Sequence, residues 1–285
     1  MSDSVASSVQ LLRHPYVRLE SITHATQLRA FVTRPGTAFL WQLEHGVRAK
    51  DVQFIEDRPG GVALLLVLPR TSEVLNDPSI WELVSRARPH AILPYHDHPA
   101  VEDLAQVLRK PPEDVPVAVT DYLKWRGIRV DSNTMRLVRR TLELSSELNS
   151  VSALARGLYL SRRALGRRFA SRGLPVPSHW LQFGRVLRLS LRLQNSSQSI
   201  YTVACELGYP DGFAASNQMH RLVGYRPSEA RERLGWEWIL EAWLRREAEN
   251  GGLVPQWGHD GRDETIKSPL DRADHAVLLR RRAAG

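Results

Sequence analysis

Apolar and polar positions follow two rhythms along the chain, and the rhythm changes near residue 130. Between residues 38 and 120, short apolar runs are separated by stretches with helical spacing. Residues 38–43 and 62–68 predict strands, with 90–95 and 115–120 as a third and a fourth. The run 62–68 is unbroken, the pattern of a strand covered on both faces. Residues 79–88 put Ile80, Leu83, Val84 and Ala87 on one helical stripe. Residues 101–108 put Val101, Leu104, Ala105 and Leu108 at i, i+3, i+4 and i+7. This alternation predicts an α/β N-terminal domain over 1–130 with a mostly parallel sheet.

Pro111-Pro112 interrupts the pattern. Residues 131–149 then predict a connector helix, capped by Asp131 or Ser132 and carrying Met135, Leu137, Val138, Leu142 and Leu144 as its apolar positions. From 150 to 235 the spacing is helical throughout, with breaks at 173–177, 194–199, 208–210 and 224–227. Residues 236–249 predict a terminal helix. Residues 250–285 offer little to bury and predict a disordered tail.

Composition narrows the class. The 285 residues leave room for roughly two domains. Hydrophobic residues make up 42% and charged residues 25%, as in ordinary globular proteins. No apolar run reaches the roughly 18 residues of a membrane span, and the first residues lack the basic and apolar regions of a secretion signal. A cytoplasmic protein without membrane contact is therefore expected. A single cysteine, Cys205, excludes an internal disulfide and a cysteine-rich zinc site. The net charge of +8 is not evenly spread: residues 148–235 hold 13 Arg against 4 acids, whereas 1–147 are balanced at 18 and 18. Such asymmetry fits either a polyanion partner or a solvated arginine-rich face.

Within the basic stretch one pattern occurs twice. Val151, Leu154, Ala155 and Leu158 form a stripe, and Gly157-Leu158 fall where a tight turn would sit. Ser161 is placed to cap a second helix, with Leu165 and Phe169 on one face and Arg162, Arg163, Arg167 and Arg168 on the others. In the second copy Ile200, Val203, Ala204 and Leu207 form the stripe. Gly208 permits a left-handed helix end, Asp211 caps, Gly224 terminates and Pro227 starts a last short helix. A longer helix capped by Ser178, about 16 residues or roughly 24 Å, joins the copies. A short helix, a turn and a capped basic helix make the layout that presents a second helix to the DNA major groove.

These residues resemble the DNA-binding domain of the AraC/XylS family of transcription regulators. The resemblance rests on Ala155, Ser161, Leu165, Arg168, Phe169 and Gly173 in the first unit and Arg185 in the linker. In the second unit it rests on Val203-Ala204, Gly208-Tyr209, Asp211, Gly224, Pro227 and Arg231. It covers about a third of the chain. The second recognition helix departs from the family pattern: Phe213, Ala215, Asn217 and Met219 stand where serine, phenylalanine, arginine and phenylalanine are usual, and Leu189 replaces a linker alanine. The resemblance implies an all-α C-terminal domain of two helix-turn-helix units, with double-stranded DNA as partner and RNA polymerase and a second copy as further partners. No cofactor or metal is implied.

Candidate DNA contacts are Arg162, Arg163 and Arg167, with Arg168 at a position that often pairs within the fold. In the second unit they are Asn217, Gln218, His220 and Arg221, and a plain polar surface is the alternative. Cys205 is expected to be buried. His96-Asp97-His98 reads as a solvated loop rather than a metal site, and Trp236, Trp238 and Trp243 as packing within the chain or at a dimer contact. The N-terminal alternation resembles a response-regulator receiver in outline, without a convincing phosphoacceptor. A degenerate receiver-like domain that senses or dimerises is expected, not an enzyme. Two other readings stand beside a transcription regulator: an N-terminal enzyme with a DNA-binding appendage, and a helix-turn-helix module used for protein contacts. Neither a nucleophile elbow nor a phosphate loop appears in the sequence.

Overall fold

The computed structural model describes residues 9–22, 34–43, 49–71 and 74–254. Five strands form one sheet: β1 (Val9–Leu12), β2 (Leu19–Ser21), β3 (Ala38–Gln42), β4 (Ala63–Val67) and β5 (Ala91–Leu93). Their order is β2-β1-β3-β4-β5. β3, β4 and β5 are parallel, whereas β1 pairs antiparallel with both β2 and β3. The sheet is thus mixed. The antiparallel β1–β2 hairpin also separates it from the receiver outline, whose doubly wound sheet is built from βα repeats.

All five residues of β4 are buried, as its unbroken apolar run requires. One face of the sheet, with Phe39, Trp41, Leu64 and Leu66, packs on α1 (Ala49–Glu56) and α2 (Pro78–Ala87) through Phe54, Ile55, Ile80 and Leu83. The other face, with Leu40, Ala63 and Leu65, packs on Leu104 and Leu108 of α3 (Val101–Arg109). Leu234, from the far end of the chain, joins that second core.

The strand expected at 115–120 is the start of helix α4 (Val115–Trp125). Its alternating valines imitate a strand, but the Asp114 carboxylate accepts from Val117 N at 2.8 Å and Pro116 occupies the first turn. The buried set Pro116, Val119, Thr120 and Leu123 then has helical spacing. α5 (Ser132–Leu144) is capped by Asp131. It packs on α4 and on α8 (Pro177–Gln194), so it belongs to the helical core as well as linking the two regions in sequence.

The remaining helices are α6 (Val151–Gly157), α7 (Arg162–Ala170), α9 (Ile200–Glu206), α10 (Gly212–Val223), α11 (Pro227–Glu232) and α12 (Glu237–Glu249). One large core holds α4, α5, α8 and α12 together. At its centre the Trp243 ring stacks on Phe183, with centroids 4.2 Å apart, and meets Trp180 edge-on at 4.5 Å. The tryptophans of the terminal helix therefore pack within the chain. Residues 250–254, the first of the expected tail, fold back: Leu253 is buried in this core and Val254 N donates to Gly173 O. The rest of that tail, 255–285, lies outside the described residues.

Two buried polar joints tie the sheet layer to α12. Arg126 grips Glu241 through Nε and Nη2 at 2.8–3.1 Å, the Tyr122 hydroxyl donates to Glu241 Oε2 at 3.0 Å, and Gly61 N donates to that hydroxyl at 2.7 Å. Gly60 passes so close to Glu241 that a Cβ there would stand 2.6 Å from Oε2. In the second joint His90 Nδ1 lies 2.8 Å from Glu237 Oε1, with Arg88 at 3.7 Å.

Candidate nucleic-acid interface

Each unit starts with a serine cap. Ser150 Oγ accepts from Ala153 N and Ser199 Oγ from Thr202 N. The two turns then follow one geometry. Leu160 N donates to Ala155 O at 2.9 Å, and Tyr209 N donates to Ala204 O at 3.0 Å. The residue before each donor is left-handed: Tyr159 (φ 55°) in the first unit and Gly208 (φ 74°) in the second. The tight turn of the first unit is thus centred on Tyr159, two residues beyond Gly157. A tyrosine in this region is strained, and its side chain is 96% exposed, so no packing compensates. Tyr159→Gly is expected to raise the unfolding free energy by about 0.5–1 kcal/mol in a urea titration, after glycine's extra chain entropy is subtracted.

The second helix of each unit is capped as the sequence predicts. Ser161 Oγ accepts from Ala164 N at 3.1 Å, and Asp211 Oδ1 from Ala214 N at 2.6 Å. On α7, Leu165 and Phe169 are fully buried, and Arg162, Arg163, Arg167 and Arg168 are exposed. Arg168 leans toward Asp131 (3.8 Å), which Arg172 holds at 2.9 Å. Hydrogen bonds from Thr134, helped by these arginines, hold the Asp131 carboxyl at about 2.

On α10, Ala215 and Met219 are fully buried. Asn217, His220 and Arg221 are exposed, and Arg221 donates to Gln182 Oε1 at 2.7 Å. Gln218 is half-buried and turns its carbonyl oxygen inward, where it finds no hydrogen-bond partner among the described residues. Phe213 is 75% exposed at the N-terminal end of the helix. Gly224 closes α10 in the left-handed conformation, its N–H bonded to His220 O, and Pro227 begins α11.

The linker α8 holds the units apart. It has 18 residues, about 27 Å at 1.5 Å each. It begins at Pro177 after Val176, without a side-chain cap, so Ser178 lies inside the first turn instead of capping it. Arg185 reaches from α8 to the second turn: it donates to Leu207 O at 2.9 Å, and its guanidinium lies 4.3 Å from the Tyr209 ring centroid. Burial pushes the Tyr209 phenol up to about 12. Gln194, at the other end, donates to the carbonyls of Ala230, Arg233 and Gly235 and so fixes the end of α11.

Cys205 is exposed, contrary to expectation: it lies on the outer face of α9, one turn from Tyr201. His96-Asp97-His98 lies in the loop after β5, where the Tyr95 hydroxyl bonds Asp97. No group of three or more potential metal ligands gathers among the described residues. Among these residues, too, no helix is long and apolar enough to cross a membrane.

Residues 154–233 match the family model described as "Helix-turn-helix domain". Among solved structures, the chain is similar to a transcriptional regulator of the group of AraC-type DNA-binding domain-containing proteins from Chromobacterium violaceum. The two are 25% identical, over 35% of this chain and 94% of that one, with a TM-score of 0.32. No curated protein matches the chain. The family match begins inside the first helix of the first unit and runs through the rod and the second unit. Residues 154–233 of the C-terminal region thus form a helix-turn-helix domain.

Proposed function

We propose that the protein is a sequence-specific regulator that lays α7 and α10 in adjacent major grooves of double-stranded DNA. The observation that carries this reading is α7, a capped helix with a buried apolar face and four exposed arginines on its other sides. Arg162, Arg163 and Arg167 contact phosphates and guanine edges. Arg168, drawn toward Asp131, orients the helix. In the second unit Asn217, His220 and Arg221 face the groove beside the half-buried Gln218, and Phe213 offers an apolar contact for a thymine methyl. The N-terminal layer regulates or dimerises and performs no catalysis. RNA polymerase and a second copy of the chain are the further partners.

Selection from random DNA with the full chain should return a bipartite motif with half-sites about 10 base pairs apart. Combining Arg162→Ala with Arg163→Ala should weaken binding to all sequences. It should also reduce the slope of log K against log salt by about 2, at roughly 0.9 per phosphate contact. Absence of enrichment at low salt would overturn the proposal and leave the protein-contact reading.

A further inference from the structure

A cleft of about 600 Å³ opens where the sheet layer meets the end of the helix-turn-helix domain. Three pieces of chain wall it. The β1–β2 hairpin contributes Arg13, His14, Arg18 and Glu20, the turn leading into β3 contributes Arg34 and Thr37, and the end of α11 contributes Arg233. Four arginines thus face one lining carboxylate, with Glu229 and Glu232 beyond the rim. Glu20 is shared by Arg13 at 2.7 Å and Arg18 at 3.7 Å, while Arg233 has Glu229 only at 3.9 Å. The Arg34 guanidinium makes no ion pair among the described residues. Arginines held together in this way repel one another unless an anion joins them.

The walls are locked together. The buried Tyr16 hydroxyl donates to Gly36 O and accepts from Leu234 N, both at 2.7 Å. Gly36 sits at φ +76°, and a Cβ there would come within 2.5 Å of that hydroxyl and 2.9 Å of Arg233 Cβ. Arg233 is also anchored behind the cleft: its carbonyl accepts from Gln194 of α8 and from the Trp238 indole of α12. A ligand that draws in the Arg233 side chain therefore acts on the residue where α8, α11 and α12 meet.

We propose that this cleft is a binding site for a small organic polyanion bearing phosphoryl or carboxylate groups, and that its occupancy adjusts the helix-turn-helix domain through Arg233. The arginine fork matches both oxyanions, and the volume lies within the range of small-molecule sites, about 300–1,000 Å³. The coupling half rests on the DNA-binding reading above; the binding half does not.

The test is calorimetric titration of the full chain, without DNA, with pyrophosphate and separately with citrate at fixed ionic strength. Wild type should bind at least one of them, and whichever binds more tightly tells phosphoryl from carboxylate recognition. Arg34→Gln combined with Arg18→Gln should weaken that binding at least about tenfold, the effect of one charge-assisted pair. Arg70→Gln, an exposed arginine outside the cleft, should leave it unchanged. No binding of either anion, or equal loss in the Arg70 variant, overturns the site. Loss of DNA affinity in the Arg34/Arg18 variant with no anion present would also overturn it, because the arginines would then belong to the DNA surface.

Discussion

Replacing Glu241 by alanine should cost about 3–5 kcal/mol of unfolding free energy, the usual consequence of taking one partner from a buried ion pair. Both side chains of the pair are nearly inaccessible, at 2% for Arg126 and 7% for Glu241. The loss extends further, because Glu241 also accepts from Tyr122, whose hydroxyl in turn receives Gly61 N. Burial, reinforced by the carboxylate, pushes the Tyr122 phenol well above its usual range, so it stays a neutral donor. Glu241→Gln keeps an acceptor for Tyr122 and should fall between wild type and alanine. Joint replacement by Arg126→Met and Glu241→Leu should recover much of the loss, because this joint then buries no unpaired charge and only the Tyr122 hydroxyl lacks its acceptor. Urea unfolding of the four proteins checks the series, and a double variant as unstable as Glu241→Ala would refute it.

The His90–Glu237 joint should give the protein a pH-dependent stability with a definite sign. Burial alone would raise the Glu237 carboxyl, but His90 and Arg88 outweigh it and hold it at about 2. Burial alone would lower the His90 imidazole, yet the Glu237 carboxylate reverses this and lifts it above 6.5. A raised histidine contributes fully below its unfolded value and loses that contribution as pH rises through the folded one. A depressed carboxylate contributes above its unfolded value, 4.5, and loses that contribution as pH falls toward 2. Stability should therefore be greatest between about 4.5 and 6.5 on account of this pair and decline on the alkaline side. Glu237→Gln should remove about 3–5 kcal/mol at pH 6 and flatten the alkaline decline. Denaturant midpoints measured from pH 5 to 9 decide it, and an unchanged slope in the variant would contradict the assignment to this pair.

The features legible in the sequence are those written into neighbouring residues. The caps Ser161 and Asp211, the left-handed Gly208 and Gly224, and Pro227 at a helix start are each decided within one turn of chain. The double unit could be read because such local signals recur. β4 was legible because a strand buried on both faces leaves no polar position. β1 and β2, of four and three residues, are too short for a periodic signal. Residues 115–120 mislead because their alternating valines imitate a strand, whereas the Asp114 cap decides for a helix. In the first turn the left-handed residue is Tyr159, where no glycine marks the place. The joints were invisible for a different reason. His90 and Glu237 lie 147 positions apart, Arg126 and Glu241 lie 115 apart, and each alone is an ordinary surface residue type.

The stacked rings at the centre of the helical core decide what can be inherited or borrowed as one piece. Trp180 and Phe183 belong to the linker rod, but the ring that covers both is Trp243, beyond the last residue of the family match. A fragment cut at residues 150–235 would bare that apolar surface together with the faces that α4 and α5 cover. The two helix-turn-helix units therefore share their core with helices outside the family match. The segment that keeps this core whole runs from the Asp114 cap to Leu253, and a break inside it would part the helix-turn-helix units from helices that cover them.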